Sequence, residues 1–273
     1  MTTTTLTDLP HPARTLPADL DGFRVEIDAE RERADIILDR PPFNIVRMGQ
    51  RDQLRVVFEA LDADPRVRVI VLRAIGEHFS SGGDIKGFMQ ATPEHVSQLA
   101  WNVAAPARCS KPVIAANRGY CFGVGFELSL ACDFRLVTET TLYALPEQKL
   151  GQIPGSGGSA RLQKMVGITR TKDIVMRSRR ITGKQAHEWG AATDCVPDAH
   201  LEAATDSLVE ELRAFSPLAQ RTAKKLLNDT EDSTLSIAIE LEGHCYSRLR
   251  SSHDFAEGVD AFHSKRRPDF NGQ

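Results

Sequence analysis

Short runs rich in branched apolar residues alternate with segments of helical periodicity between residues 23 and 137. Of all the features of this sequence, this alternation restricts the possible folds most. Residues 23–27 and 33–38 predict two short strands, and residues 67–72 predict a largely buried one. Between them, residues 50–63 carry apolar side chains at helical spacing. These side chains are Leu54, Val57, Phe58 and Leu61. A strand, a helix and a further strand in this order are typical of an α/β domain.

The same unit recurs further along the chain. Residues 94–104 predict a helix, the pair Lys111-Pro112 stops it, and residues 113–116 predict the next strand. A helix beginning near Gly125 then leads to a strand over residues 134–137. Strands that alternate with helices form a parallel sheet with right-handed crossovers. The expected fold class is therefore α/β, and repeated β-β-α units would wind the chain into a spiral.

The last third of the sequence predicts four helices and little strand. Residues 202–215 are amphipathic, Ser216-Pro217 is a suitable cap and first-turn pair for a second helix, and residues 235–249 and 254–265 predict two more. At the other end, residues 1–20 are rich in Thr and Pro and predict a flexible tail. We therefore expect a tail (1–20), an α/β core (21–200) and a C-terminal helical region (201–273).

Composition argues against several classes of protein. A net charge of −3, a pI near 6.3 and the lack of a basic stripe argue against nucleic acid as a partner. The five cysteines show no CxxC spacing, which predicts reduced thiols. No apolar run approaches the ~20 residues that span a bilayer, and the first residues lack the layout of a signal peptide. We therefore expect a cytoplasmic protein without a membrane partner.

Two glycine-rich segments, residues 78–86 and 117–128, each follow a predicted strand, and the second runs directly into a helix. Glycines at such turns let the backbone approach a ligand, and the first helical N–H groups lack partners. Those donors, together with the helix dipole, favour an anion. The first segment lacks GxGxxG and no Lys-Ser/Thr pair follows it, so it does not predict a nucleotide site.

Two glutamates accompany these segments. Glu127 lies in the first turn of the helix after the second segment, and Glu147 follows twenty positions later. A glycine-rich stretch at 151–158 and a closing segment at 257–266 complete the set. With these motifs, the chain from about residue 23 to 270 resembles the crotonase (enoyl-CoA hydratase/isomerase) superfamily. The resemblance implies a crotonase-like spiral of β-β-α units with a C-terminal helical layer, assembled as a homotrimer or a dimer of trimers.

The resemblance also implies roles for individual residues. The backbone amides of Gly83 and Val124 match the two donors of an oxyanion hole, and Gly155 matches a backbone position near an attacking water. Glu127 and Glu147 match two acid/base carboxylates. The positions that match contacts to coenzyme A (CoA) are Ser81, Asp84, Ile85, Tyr246 and Lys265.

These groups suit thioester chemistry. Polarising a thioester carbonyl builds negative charge on its oxygen, and two fixed N–H donors stabilise that charge. Adding water to an α,β-unsaturated acyl-CoA also needs a base for the water and an acid for Cα, which two nearby carboxyls can share. The leading hypothesis is an enoyl-CoA hydratase-like lyase. It implies no metal or redox cofactor, since the sequence shows neither a ligand cluster nor a dinucleotide fingerprint.

Other functions fit the same residues. Hydrolysis of a CoA thioester would use the same oxyanion hole, with a glutamate that activates water or attacks the carbonyl itself. Double-bond isomerisation would need only one glutamate to carry a proton from Cα to Cγ. A CoA-binding subunit without catalysis is an alternative from another class, although the presence of both glutamates argues against it.

Several of these residues also have a purely structural interpretation. Glu127 would be solvated at its helix N-terminus, Glu147 would belong to an ordinary loop, and residues 265–267 would be a solvated basic run. Val124 stands where the family usually has glycine. Its β-branched side chain resists positive φ and adds bulk, so we expect an altered acyl pocket. The aromatic residues that would line this pocket or pack in the core are Phe88, Trp101 and Phe122.

Overall fold

In the computed structural model, which describes residues 15–273, strands and helices alternate as far as about residue 200, and helices alone follow. The strands are β1 (Phe23–Asp28), β2 (Arg33–Leu38), β3 (Val69–Ala74), β4 (Val113–Asn117), β5 (Tyr120–Phe122), β6 (Phe134–Thr138), β7 (Leu142–Ala144), β8 (Ile181–Thr182) and β9 (Asp194–Val196). The helices are α1 (Met48–Ala63), α2 (Ile85–Gln90), α3 (Pro93–Ser97), α4 (Leu99–Val103), α5 (Ala105–Arg108), α6 (Val124–Ala131), α7 (Gly158–Val166), α8 (Ile168–Met176), α9 (Gly183–Glu188), α10 (Leu201–Arg213), α11 (Pro217–Thr230), α12 (Leu235–Leu249) and α13 (His253–Ser264). Residues 1–14 of the predicted tail lie outside the described residues.

The main sheet has the strand order β1-β2-β3-β4-β6-β9. β1 and β2 pair antiparallel, and every other pair in this sheet is parallel. A second sheet has the order β5-β7-β8. β4 and β6 belong to the main sheet, whereas the strands that directly follow them, β5 and β7, belong to the second, and α6 lies between the two pairs. The predicted α/β class and the winding of β-β-α units are therefore confirmed.

β3 illustrates why the main sheet is buried on both faces. Ile70 and Leu72 pack in the cluster that contains the apolar stripe of α1, whereas Val69 and Val71 pack with Val209 and other residues of α10. Successive side chains of a strand point to opposite faces, so both faces of β3 require apolar residues. This explains why residues 67–72 are almost all apolar.

The helix predicted over residues 94–104 is divided into the short helices α3, α4 and α5. Thr92 caps the first of them by accepting a hydrogen bond from the amide of His95 at 3.3 Å. Pro106 lies in the first turn of the third and has no N–H to donate to a preceding turn. The prediction of one continuous helix was wrong because apolar periodicity alone does not register these interruptions.

The four predicted C-terminal helices are present as α10 to α13, and Ser216 caps α11 by accepting from the amide of Ala219 at 3.1 Å. Nζ of Lys224, on α11, forms an ion pair of 2.7 Å with Asp133 of the α/β core. α12 buries none of its residues, so an apolar face stays uncovered in the monomer. The exposed apolar residues of α12 are Leu235, Ile237, Ile239, Leu241 and Tyr246.

Three further properties concern the described residues as a whole. All five cysteines are free thiols, and three of them are buried. Within residues 15–273, no group of three or more His, Cys, Asp or Glu side chains is arranged to hold a metal ion. In the same range, none of the helices combines the length and the apolar character that crossing a membrane requires.

Candidate active site

The two glycine-rich segments lie side by side. Isolated parallel bridges join Ser80 to Cys121 and Val46 to Gly83. As a result, a Cβ atom built on Gly83 would lie 3.8 Å from Cγ1 of Val124. The structure therefore brings together the two residues that were predicted to form an oxyanion hole.

The backbone amides of Gly83 and Val124 have no protein acceptor. Neither N–H donates a hydrogen bond to any of residues 15–273. Val124 is the first residue of α6, where N–H groups lack intrahelical acceptors. The positive φ of this turn, 51°, belongs to Gly123, and Val124 does not adopt one. Val124 therefore has no conflict with its β-branched side chain, because the left-handed conformation falls one residue earlier.

The side chain of Val124 is buried and still occupies space beside the glycine turn. Phe122 is buried as well and stacks on Tyr120 with ring centroids 4.8 Å apart. Trp101 is 58% exposed, and the Arg108 guanidinium lies over its ring. Trp101 is therefore not a core residue. An acyl pocket altered by Val124 stays a prediction.

Glu127 is buried rather than solvated. It is 4% exposed, and its Oε1 accepts hydrogen bonds from the amides of Ser156 at 2.7 Å and Gly158 at 3.1 Å. Burial raises the pKa of Glu127, and the two amide hydrogen bonds oppose that rise by stabilising the carboxylate. A Cβ on Gly158 would lie 3.0 Å from Cγ of Glu127, so the close approach requires glycine. Gly155, predicted to lie near a water, is exposed immediately before Ser156.

Glu147 opens a 3₁₀ turn after β7, and one of its carboxyl oxygens has no partner. Its Oε2 is buried and makes no hydrogen bond within the described chain. Its Oε1 lies 3.1 Å from the position of a Cβ on Gly123, the residue before Val124. Burial raises the pKa of Glu147 to about 7, and the negative charge of Glu127 adds to the rise. The two glutamates therefore interact electrostatically beside the two amides that lack acceptors. A position in an ordinary loop would not explain this arrangement of Glu147.

One charged residue at this site, Arg51, was not singled out from the sequence. It is 7% exposed on α1, and its Nη2 lies 2.6 Å from the position of a Cβ on Gly83. It also interacts electrostatically with Glu127. The sequence did contain a signal, because Arg51 stands three residues before Leu54 on the apolar stripe of α1, where a cation is unexpected.

The positions predicted to contact CoA fall into two groups. Ser81, Asp84 and Ile85 flank the glycine of the predicted oxyanion hole, at the start of α2. Tyr246 is exposed on α12 and lines a cavity of about 460 Å³ among the C-terminal helices, which neither glutamate lines. Lys265 follows α13 in a left-handed conformation. Within one subunit, the structure thus brings only the first group to the two glutamates.

The basic run at residues 265–267 is partly neutralised by the chain itself. Arg266 forms ion pairs of 2.6 Å with both Glu257 and Asp260. This arrangement explains the central arginine as a structural residue of the closing segment. A phosphate contact from Lys265 stays a prediction.

The chain matches known proteins over nearly its whole described length. A family model described as enoyl-CoA hydratase/isomerase matches residues 29–273. A probable mitochondrial enoyl-CoA hydratase 2 of Arabidopsis thaliana is 30% identical over 244 residues, which cover 87% of this chain and 81% of that protein. A carnitinyl-CoA dehydratase of Salmonella arizonae is 34% identical over 251 residues, which cover 87% and 94% of the two chains. The crystal structure of an enoyl-CoA hydratase from Bacillus anthracis aligns with a TM-score of 0.87 at 30% identity, covering 93% of this chain and 100% of that chain.

Proposed function

The chain belongs to the enoyl-CoA hydratase/isomerase family, and on that basis we propose that it is an enoyl-CoA hydratase-like lyase. It adds water to the double bond of an α,β-unsaturated acyl-CoA thioester. The observation that carries this proposal is that two backbone amides without acceptors lie beside two carboxyl groups, the buried one of Glu127 and the partly buried one of Glu147. Acid–base chemistry at these groups uses no metal or redox cofactor, and CoA enters as part of the substrate.

The amides of Gly83 and Val124 donate hydrogen bonds to the thioester oxygen. Negative charge develops on that oxygen as water attacks Cβ and the enolate forms. In comparable sites, loss of one such donor raises the barrier by roughly 3–4 kcal/mol. Because both amides lack a protein acceptor, they are available to the substrate without the loss of an existing hydrogen bond.

Glu127 acts as the base that takes a proton from the attacking water. A carboxylate that accepts two amide hydrogen bonds is stabilised in its ionised form and held in one orientation. The amides of Ser156 and Gly158 supply these bonds. The amide of Gly155 has no acceptor among residues 15–273, and we assign it to the second contact of the same water.

Glu147 acts as the acid that delivers a proton to Cα. Because its pKa is about 7, Glu147 is protonated in a large fraction of the protein molecules at neutral pH. Its unpartnered Oε2 is the oxygen that carries this proton towards the substrate. After one turnover Glu127 has gained a proton and Glu147 has lost one, so a proton transfer between them, directly or through solvent, restores the enzyme.

We extend the proposal to the assembly, a homotrimer or a dimer of trimers. The uncovered apolar face of α12 supports a subunit interface, and Tyr246 and Lys265 then complete the CoA site of a neighbouring subunit. Sedimentation analysis tests the assembly, and a monomer at micromolar concentration would contradict it. A cytoplasmic location stays a prediction, and the Arabidopsis relative is described as mitochondrial.

The reaction is tested by incubating the purified protein with a panel of enoyl-CoA and acyl-CoA thioesters. Double-bond absorbance and free thiol are followed together. Loss of the double bond without free thiol, with a hydroxyacyl-CoA as product, supports hydration. Free thiol would instead indicate thioester hydrolysis, and a shifted double bond without added water would indicate isomerisation.

A further inference from the structure

Arg51 lies where the buried stripe of α1 reaches the proposed oxyanion hole. It precedes Leu54 by three residues and Phe58 by seven, so it faces the same side of the helix as these core residues. Its Nη2 lies 2.6 Å from the position of a Cβ on Gly83, so a side chain there would require the guanidinium to move. A cation therefore stands beside the place proposed for the thioester carbonyl.

The guanidinium makes no direct contact with a carboxylate in the described part of the chain, although its charge interacts electrostatically with those of Glu127 and Asp52. Arg51 makes neither a hydrogen bond nor an ion pair within residues 15–273, and its Nε is buried without an acceptor. The adjacent Asp52 is already bound by His95, at 2.8 Å, and by Asn102. Glu127 is held by two backbone amides and forms no ion pair with Arg51. Neither nearby carboxylate therefore satisfies the guanidinium directly.

Two other buried arginines show which partners a structural arginine has in this protein. Arg33 is 6% exposed and forms an ion pair of 2.6 Å with Asp35. Arg135 is 7% exposed and donates hydrogen bonds of 2.6 Å to the carbonyls of Ala191 and Cys132. Arg51 is as buried as these two and lacks any such partner, so a purely structural role does not explain it.

A buried charge without a direct partner is unfavourable in the protein interior, which favours an anion that joins it in the working complex. The enolate oxygen is one candidate, but its charge develops only during the reaction, and two backbone amides already serve it. A carboxylate on the acyl chain carries a full charge from the moment of binding. Its two oxygens also match the fork of the Arg51 guanidinium.

We propose that Arg51 binds a carboxylate carried by the acyl chain, so that the substrate is an α,β-unsaturated CoA thioester with a second acid group. This inference rests on the proposed function and narrows its substrate class. A neutral alkyl chain leaves the guanidinium unpaired, whereas a carboxylated chain of suitable length pairs with it beside Gly83.

Binding of saturated acyl-CoA thioesters tests this pairing without any reaction. Probes of equal chain length, ending in either a carboxylate or a methyl group, are compared over a series of lengths by isothermal titration calorimetry. We expect the wild-type protein to bind the best carboxylated probe at least tenfold more tightly than its methyl counterpart, and Arg51→Met to lose this preference. Equal affinities in the wild type, or a preference that survives in Arg51→Met, would overturn the inference.

Two further variants serve as controls. Arg47→Met removes a cation that is 57% exposed at the position just before α1, one turn ahead of Arg51, and it should keep the preference. Arg51→Lys keeps the charge but loses the planar fork, so its preference should be smaller than that of the wild type. A wild-type preference in Arg51→Lys would contradict the bidentate contact. Circular dichroism checks that Arg51→Met folds, since methionine replaces the arginine stem by an apolar side chain that is also long and unbranched.

Failure of this inference and failure of the proposed reaction are distinguishable. If no enoyl-CoA is hydrated while the carboxylate preference in binding persists, the reaction is wrong and the role of Arg51 stands. If methyl-ended and carboxylated enoyl-CoA thioesters are hydrated with equal kcat/KM, hydration stands and the role of Arg51 is wrong. An equal loss of kcat on both substrates in Arg51→Met would assign the guanidinium to the enolate oxygen and would also overturn the inference.

Discussion

The amide of Ser156 donates a hydrogen bond of 2.7 Å to Oε1 of Glu127, across 29 residues of sequence. Gly158 adds a second amide at 3.1 Å. Ser156 precedes α7 and Gly158 is its first residue, so neither donor belongs to the helix that carries Glu127. The orientation and ionisation of the proposed base therefore depend on how the start of α7 packs against α6.

Replacing Gly158 by alanine should displace Glu127. The new Cβ would lie 3.0 Å from Cγ of Glu127 and 3.1 Å from a methyl group of Leu145, which is tighter than ordinary packing allows. We expect a loss of roughly 1–3 kcal/mol in the free energy of unfolding, together with a fall in kcat. Gly49→Ala is the matched control, because nothing lies within 4 Å of its Cβ position in α1. Denaturant unfolding and initial rates check both, and an unchanged kcat in Gly158→Ala would contradict the close contact.

Glu127→Gln should lower kcat by about 10²–10⁴-fold, the usual contribution of a positioned base. The amide side chain preserves the size of the group but cannot take a proton from water. Glu188→Gln, at a half-exposed position on α9, should leave kcat unchanged. Steady-state kinetics on the best substrate of the panel measure both. Turnover at the wild-type rate in Glu127→Gln would rule out this residue as the base.

The pH dependence of the reaction should report the protonated form of Glu147. Burial raises the pKa of Glu147 to about 7, so the acid form that delivers the proton is lost as pH rises through that value. We expect kcat/KM to fall about tenfold per pH unit above about pH 7, since this ratio reports groups of the free enzyme. Rates measured between about pH 5 and 9 test this. If the alkaline fall persists unchanged in Glu147→Gln, another group is responsible.

Val124→Ala should alter substrate preference while it keeps the oxyanion hole. The backbone amide is unaffected, so kcat for a short acyl chain should stay within about tenfold of the wild type, far from the effect of losing a donor. Removal of two buried methyl groups beside Gly83 should cost about 2 kcal/mol of stability and favour wider acyl chains. Relative kcat/KM across linear and branched enoyl-CoA thioesters measures the shift. An identical ranking of substrates in both proteins would show that Val124 does not shape the pocket.

Much of the secondary structure followed from the sequence because its signals are local. The alternating patterns of residues 23–27 and 33–38, the apolar run of residues 67–72 and the capping pair Ser216-Pro217 are each signals contained within a few residues. The division of residues 94–104 into short helices was not predicted. Apolar spacing does not show where the hydrogen bonds of a helix are interrupted. The left-handed conformation of the second glycine turn belongs to Gly123, one residue before Val124, and the spacing of the motif does not specify which residue adopts it.

The sequence by itself determined the α/β class, the family resemblance and the identity of the glutamates and glycines, since these depend on residue type and spacing along the chain. Only the tertiary structure decided what surrounds them. It positioned the amides of Ser156 and Gly158 on Glu127, buried one oxygen of Glu147 and placed the guanidinium of Arg51 beside Gly83. Burial and electrostatic interaction arise between segments that are far apart in sequence, so no local pattern specifies them.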